Sequence, residues 1–423
     1  MKTILKELPE LVVNDIITSD TAQRIEAYYA SKKVPRENNL LTIFGVIGAV
    51  LTGLGIILIF AHNWDTFPKS IKTMLALLPL IAFQGLTAYT IIAKKEARWK
   101  EPAGVLLFFA VGASIALVAQ IYNIPGNLGS YLCTWTLLCL PLIYILRSNA
   151  LALLHIVFST WYACEWSSET NGRPWMYLFF IAAFIPFYIE RHRSQPVSGI
   201  TAFLNLALPV SGAIALAMFL DDAYKFNAAI YVAFFGMLYS IGQLAAIKQH
   251  SLRSNGFTFV SQLGILILLL ITSSKIFWEV DSGMRASFSI NTLPAGVAFF
   301  AISLYIAIVR TNALRRFDPF LIATIIFPAI YVVGLIEPLF TTVLANLLVL
   351  GLGTVIIRKG ALQFNLPVLN FGLVIVSALI ICRFFDTDMS FAIRGLLFVV
   401  VGAGFFFANY LLIRKKKDHE ITK

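Results

Sequence analysis

Of the 423 residues, 59% are hydrophobic and only 13% are charged, against about 25% charged in an ordinary soluble domain. A mean hydropathy of +0.81 excludes a water-soluble globule, because no single core would hide that much apolar surface. The net charge of +11 does not mark a nucleic-acid binder, since the cations sit in short loops and not in a stripe interleaved with aromatics.

In chain order, residues 1–39 are polar and read as a cytoplasmic, amphipathic N-terminal segment of two short helices. In the second, Asp20 with Gln23 three residues on fits a capping box. Ala22, Ile25, Tyr28 and Tyr29 then share one helical face. The first apolar run begins at Leu40, too late and too long to be a cleaved signal sequence. About fourteen runs follow, over 40–61, 70–93, 103–122, 130–146, 149–166, 174–190, 200–219, 226–247, 256–277, 290–309, 318–336, 339–357, 366–382 and 391–413. Most approach the roughly 20 residues that span a bilayer's hydrocarbon. In the first run, Gly45, Ala49 and Gly53 repeat every four residues, a small-residue face that lets a neighbouring helix come close.

The connections alternate in charge. Those with both termini on the cytoplasmic side hold 25 of the 33 Lys and Arg residues, and the opposite side holds only Lys69, Lys72, Arg173, Lys225, Lys275, Arg285, Arg383 and Arg394. This is the positive-inside pattern. The expected architecture is an all-α polytopic transmembrane helix bundle of about fourteen spans, with a membrane domain over 40–413, a basic tail over 414–423 and both termini cytoplasmic. Membrane lipids are the expected partners, and nucleic acid is not one. A protein partner would engage residues 1–39.

Ionisable groups inside apolar helices cost about 2.5–3.5 kcal/mol on insertion scales and mark function by default. His155 is the one such group well inside a run, and it reads as a hydrogen-bonded packing residue. No Asp or Glu falls mid-run, which argues against an ion-coupled pump. The four cysteines, Cys133, Cys139, Cys164 and Cys382, form no metal or redox motif. Neither a metal nor another cofactor is expected, and no catalytic residue is identified. The outer connections are richer. Their candidate substrate contacts are His62, Asn63, Trp64 and Asp65 in the first; Gln120, Tyr122 and Asn123; and Arg383, Asp386, Asp388 and Arg394 in the last. An arginine there would pair an anion and a carboxylate would serve as base. Trp and Tyr also gather at interfaces without any site.

Gly53-Leu54-Gly55 with Ala61-His62-Asn63-Trp64-Asp65, the Thr18–Tyr29 segment, and Ala119-Gln120-Ile121-Tyr122-Asn123-Ile124 followed by Trp135 and Leu146-Arg147-Ser148 resemble the bacterial predicted-membrane-protein family of domain of unknown function 2157. Phe384-Phe385-Asp386, Arg394-Gly395-Leu396 and Asn409 resemble its closing hairpin and that of the related domain 4401. One departure is Asn127, where the family pattern has Asp. The resemblance implies the bacterial inner membrane and no defined activity. The leading expectation is a transporter or flippase of a lipid-linked or amphiphilic substrate, and not an enzyme. The alternatives are an outer-face enzyme acting on a lipid-linked sugar or phosphate, and a non-enzymatic sensor or assembly partner.

Overall fold

The computed structural model describes residues 16–31, 39–62, 68–196, 198–220, 224–244, 255–279, 290–310 and 318–386, with scattered positions among 8–14 and 399–410. Among the described residues there is no strand. The helices are α1 Ser19–Ser31, α2 Asn39–His62, α3 Lys69–Ile92, α4 Ala97–Ile121, α5 Leu128–Leu146, α6 Asn149–Thr170, α7 Trp175–Ser194 and α8 Gly199–Ala217. They continue with α9 Tyr224–Gly242, α10 Gly256–Thr272, α11 Lys275–Glu279, α12 Leu293–Tyr305, α13 Pro319–Gly334, α14 Pro338–Leu362 and α15 Leu366–Asp386.

Each of the first thirteen apolar runs therefore contains a helix, and the fourteenth, 391–413, lies largely outside the described residues. Among the described residues, α3, α4, α5, α8, α14 and Leu366–Arg383 of α15 are long and apolar enough to cross a bilayer. Shorter apolar helices cover Ile43–Gly55, Gly256–Thr272, Leu293–Val309 and Pro319–Gly334. The run at 256–277 breaks early: Ser273 ends α10, and Trp278 of α11 turns back to donate its indole N–H to the Thr272 carbonyl at 2.6 Å.

The chain forms two compact units. One comprises Met1–Ile124 with Tyr144–Leu151, and the other Pro125–Ile143 with Ala152–Lys423. In the first, α4 packs against both α2 and α3. The small-residue face is what brings α2 in: a Cβ on Gly45 would lie 3.0 Å from the Pro102 ring, and one on Gly53 would lie 2.7 Å from Phe109. Ala49 between them is buried. On the other side, Ser114 of α4 donates to the Ala76 carbonyl at 2.8 Å, beside a small cluster of Ala76, Leu117 and Ile121. Ahead of these, α1 is capped by Thr18, whose hydroxyl accepts from the Thr21 amide at 3.3 Å. Asp20, expected as the cap, instead pairs with Arg24 at 3.0 Å on the exposed face.

In the second unit, α14 and α15 form a tight glycine-lined hairpin. A Cβ on Gly372 would meet the Ile357 nitrogen at 2.7 Å and the Gly353 oxygen at 2.9 Å, so only glycine permits that crossing. Helix α9 packs against α10, α12 and α13, and a π-helical turn, Ile306–Arg310, extends α12. His155 is buried in α6, its Nε2 at 3.1 Å from the Phe180 carbonyl and its ring against Phe180 and Phe184. A carbonyl only accepts, so this nitrogen carries the proton, and the packing role read from the sequence holds.

Candidate functional site

Within the second unit, α8, α10 and α15 enclose a cavity of about 550 Å³ near the ends at which they begin. Two caps fix those ends. Ser198 accepts from the Thr201 amide at 3.2 Å to start α8. Asn255 accepts from the Thr258 amide at 3.2 Å to start α10, while its side-chain amide donates to the Gly242 carbonyl at 2.8 Å. At Gly256 the two helices touch, because an added Cβ would run into the backbone of Asn205 and Leu206. The space beside that contact is walled by Ala202, Phe203, Leu206, Phe259, Leu263 and Phe371, with Gly199, Gly256, Pro367 and Gln262. Phe203, Phe259 and Leu263 are 54%, 52% and 45% exposed, so the cavity opens sideways, through the apolar surface of the helices. Its volume falls in the range of about 300–1,000 Å³ usual for small-molecule sites.

Gln262 is the only side chain among those lining residues with an amide or a charge. In the same unit, α9 buries the Tyr239 side chain together with its hydroxyl. That hydroxyl donates to both oxygens of Asp318 at 2.9 Å. Asp318 also accepts from the Phe320 and Leu321 amides, at 3.2 and 3.4 Å, and so caps α13. Each of these contacts is donated to the carboxyl oxygens, which only accept.

Of the residues singled out on the outer connections, the structure describes Gln120, Tyr122, Asn123 and Arg383, and only the backbone of His62 and Asp386. Asn63, Trp64, Asp65, Asp388 and Arg394 lie outside the described residues. Gln120 is exposed at the end of α4. Asn123 has φ 49°, and the Ile124 amide returns to the Ala119 carbonyl at 2.9 Å. That is a left-handed helix terminator, a place where Asn is tolerated best after Gly. The Tyr122 hydroxyl lies 3.3 Å from that of Thr73. Arg383 reaches the Ser273 hydroxyl at 3.4 Å, and the Ser273 carbonyl accepts from Asn346 at 3.0 Å. Asn127 caps α5, its side-chain oxygen accepting from the Ser130 amide at 2.8 Å. Glu169 of α6 takes the Leu128 and Gly129 amides at 3.2 and 3.0 Å. Since Asn caps as well as Asp, the departure at 127 leaves this turn's structure intact.

Two acids escaped the sequence reading. Asp318 precedes Pro319, a pattern that marks a helix start, but no local pattern points to its bond with Tyr239. Glu101, in the first unit, is 5% exposed. Its carboxylate accepts from the Ser148 hydroxyl, from the Asn149 amide at 2.8 Å, from the Asn149 side chain at 3.2 Å and from the Ala150 amide at 2.9 Å. It thereby closes the start of α6 from another helix. Among the described residues no three His, Cys, Asp or Glu side chains converge as a metal site would require.

Residues 9–152 match a family model described as Predicted membrane protein (DUF2157). That match covers the first hairpin and the 119–148 stretch; the likeness of the C-terminal hairpin to domain 4401 lies outside it. No curated protein and no solved structure matches the chain.

Proposed function

We propose that this membrane protein, whose residues 9–152 carry the DUF2157 match, is a transporter or flippase of an amphiphilic substrate in the bacterial inner membrane. In this reading it has fourteen spans with both ends cytoplasmic, and it engages its substrate laterally, from the lipid. The supporting observation is the sideways-opening apolar cavity between α8, α10 and α15. A substrate drawn from water would need a polar entrance, whereas one drawn from lipid needs an apolar side wall with a polar group set behind it. By the charge alternation, α8, α10 and α15 begin at the cytoplasmic face, so the cavity would load from the inner leaflet.

The test is reconstitution of the full chain into vesicles carrying a fluorescent lipid, with dithionite quenching of the outer leaflet. We expect transbilayer movement above protein-free vesicles, and a several-fold loss on Ala202→Trp, which fills the cavity. Movement of no labelled amphiphile, or equal movement by wild type and Ala202→Trp, would refute the reading.

A further inference from the structure

Helix α7 sorts its residues by face. Tyr177, Phe180, Phe184, Phe187 and Tyr188 are buried, while Leu178, Ile185 and Ile189 are exposed. Those three lie at spacings of seven and four, which keeps them on one stripe. In a membrane helix such a stripe lies against lipid chains, which are as apolar as leucine. The stripe runs into a second recess, of about 670 Å³, lined by Pro186, Ile189, Glu190, Arg193 and Ser194. One end of the recess is therefore apolar, and the other carries one charge of each sign. Glu190 and Arg193 are neighbours on the helix surface at a spacing of three. Both are exposed, and among the described residues no ion pair joins them.

We infer that this recess seats a zwitterionic phospholipid with a primary ammonium, phosphatidylethanolamine in chemical terms, its chains along the Leu178–Ile189 stripe and its head at the end of α7. The Arg193 guanidinium offers N–H donors to the phosphodiester. The ammonium, one ethylene link away, needs acceptors. Glu190 supplies a carboxylate. The Ser194 hydroxyl donates its proton to the Arg191 carbonyl at 3.1 Å, so toward a ligand its oxygen accepts. The C-terminus of α7 adds the roughly half negative charge of a helix end. A phosphatidylglycerol head can offer Glu190 a hydroxyl but no cation, and its phosphate meets that carboxylate as a like charge. A choline head keeps both charges but has no N–H for Glu190 or Ser194 to accept. Arg191 and His192, on the same turn, do not line the recess, and His192 is buried with its ring against Tyr188. The site shares no lining residue with the cavity between α8, α10 and α15 and does not depend on the substrate reading.

The experiment is native mass spectrometry of the full chain in non-ionic detergent, titrated in turn with dioleoyl phosphatidylethanolamine, phosphatidylcholine and phosphatidylglycerol. The three share their chains and differ only in the head. Because Glu190 and Arg193 are exposed, each charge contact is worth about 2–5-fold, and we expect the ethanolamine lipid to bind tighter than either other by that factor. Glu190→Gln should bring the ethanolamine and choline lipids to parity. Arg193→Gln should weaken all three by about 2–5-fold. Both variants should melt like the wild type by circular dichroism, since neither side chain is buried. Glycerophosphoethanolamine, the same head without chains, should displace no lipid at equal concentration. Equal binding of the three lipids, or tighter binding of phosphatidylglycerol, overturns the zwitterion assignment. An ethanolamine preference that survives both substitutions overturns the placement on α7. Displacement by the chainless head overturns a lipid as the occupant.

Discussion

Glu101→Ala should loosen the start of α6, by an amount that follows from its partners. The first amides of a helix have no intrahelical acceptor. At α6, Ser148 serves Leu151 at 3.2 Å, and Glu101 serves both Asn149 and Ala150. Removing the carboxylate strands two backbone donors, at about 1–3 kcal/mol each, so the expected cost is about 2–6 kcal/mol, falling toward the lower end if water enters. Glu101→Gln keeps one accepting oxygen but presents an N–H to the other donor, and should cost about half as much. The local reading is hydrogen exchange followed by mass spectrometry over 147–152. Opening free energy sets protection there, and each 1.4 kcal/mol is a factor of ten. Protection should fall at least about fivefold for Gln and further for Ala. A double-mutant cycle with Ser148→Ala should show coupling, because the Ser148 hydroxyl donates to the same carboxylate. Unchanged protection at Asn149 and Ala150 in Glu101→Ala would refute the reasoning, whatever happens to global stability.

Gly256→Ala should cost about 1–3 kcal/mol of stability by overpacking, seen as an earlier thermal transition. It should also weaken cavity binding, since the α8–α10 contact must part. Asn127→Asp should leave stability within about 0.5 kcal/mol, whereas Asn127→Ala should lose about 1 kcal/mol with the cap; the same melting series measures both. Asp318→Ala should destabilise more than Tyr239→Phe, because it removes the α13 cap together with the Tyr239 acceptor. Equal losses would mean that the cap contributes nothing. Reporter fusions at residues 66 and 97 should sit on opposite sides of the membrane, and the same side for both would sink the topology.

What was legible in the sequence was whatever depends on composition along the chain. Thirteen apolar runs became helices because a buried or lipid-bound backbone must satisfy itself internally. The four-residue spacing at Gly45, Ala49 and Gly53 named a packing face that α4 fills. Errors arose where polar residues belong to a helix. Lys100, Glu101 and Pro102 read as loop by composition, and the third apolar run begins at 103. In fact α4 starts at Ala97, and Pro102 sits inside it against Gly45. That one shift placed Glu101 with the solvent-exposed loop charges and hid a buried carboxylate. The cavity was not legible at all. Gly199, Gln262 and Phe371 lie more than a hundred residues apart at the extremes, and their apolar neighbours differ in no local way from lipid-facing positions.

The family match ends beside one of the boundaries between the units, although Pro125–Ile143 inside the match belongs to the second unit. The match ends at residue 152, and the second segment of the first unit ends at Leu151. Glu101 explains why a boundary belongs there: it binds Ser148, Asn149 and Ala150 into the unit that holds α2 to α4, although α6 continues to Thr170. The hydrogen bonds of Ser148–Ala150 thus close on α4. The consequence for function is direct. Every residue lining the cavity, from Gly199 to Phe371, lies beyond the matched region. The likeness therefore covers the Glu101 latch and not the cavity, so the proposed substrate site must be tested in the remaining two thirds of the chain.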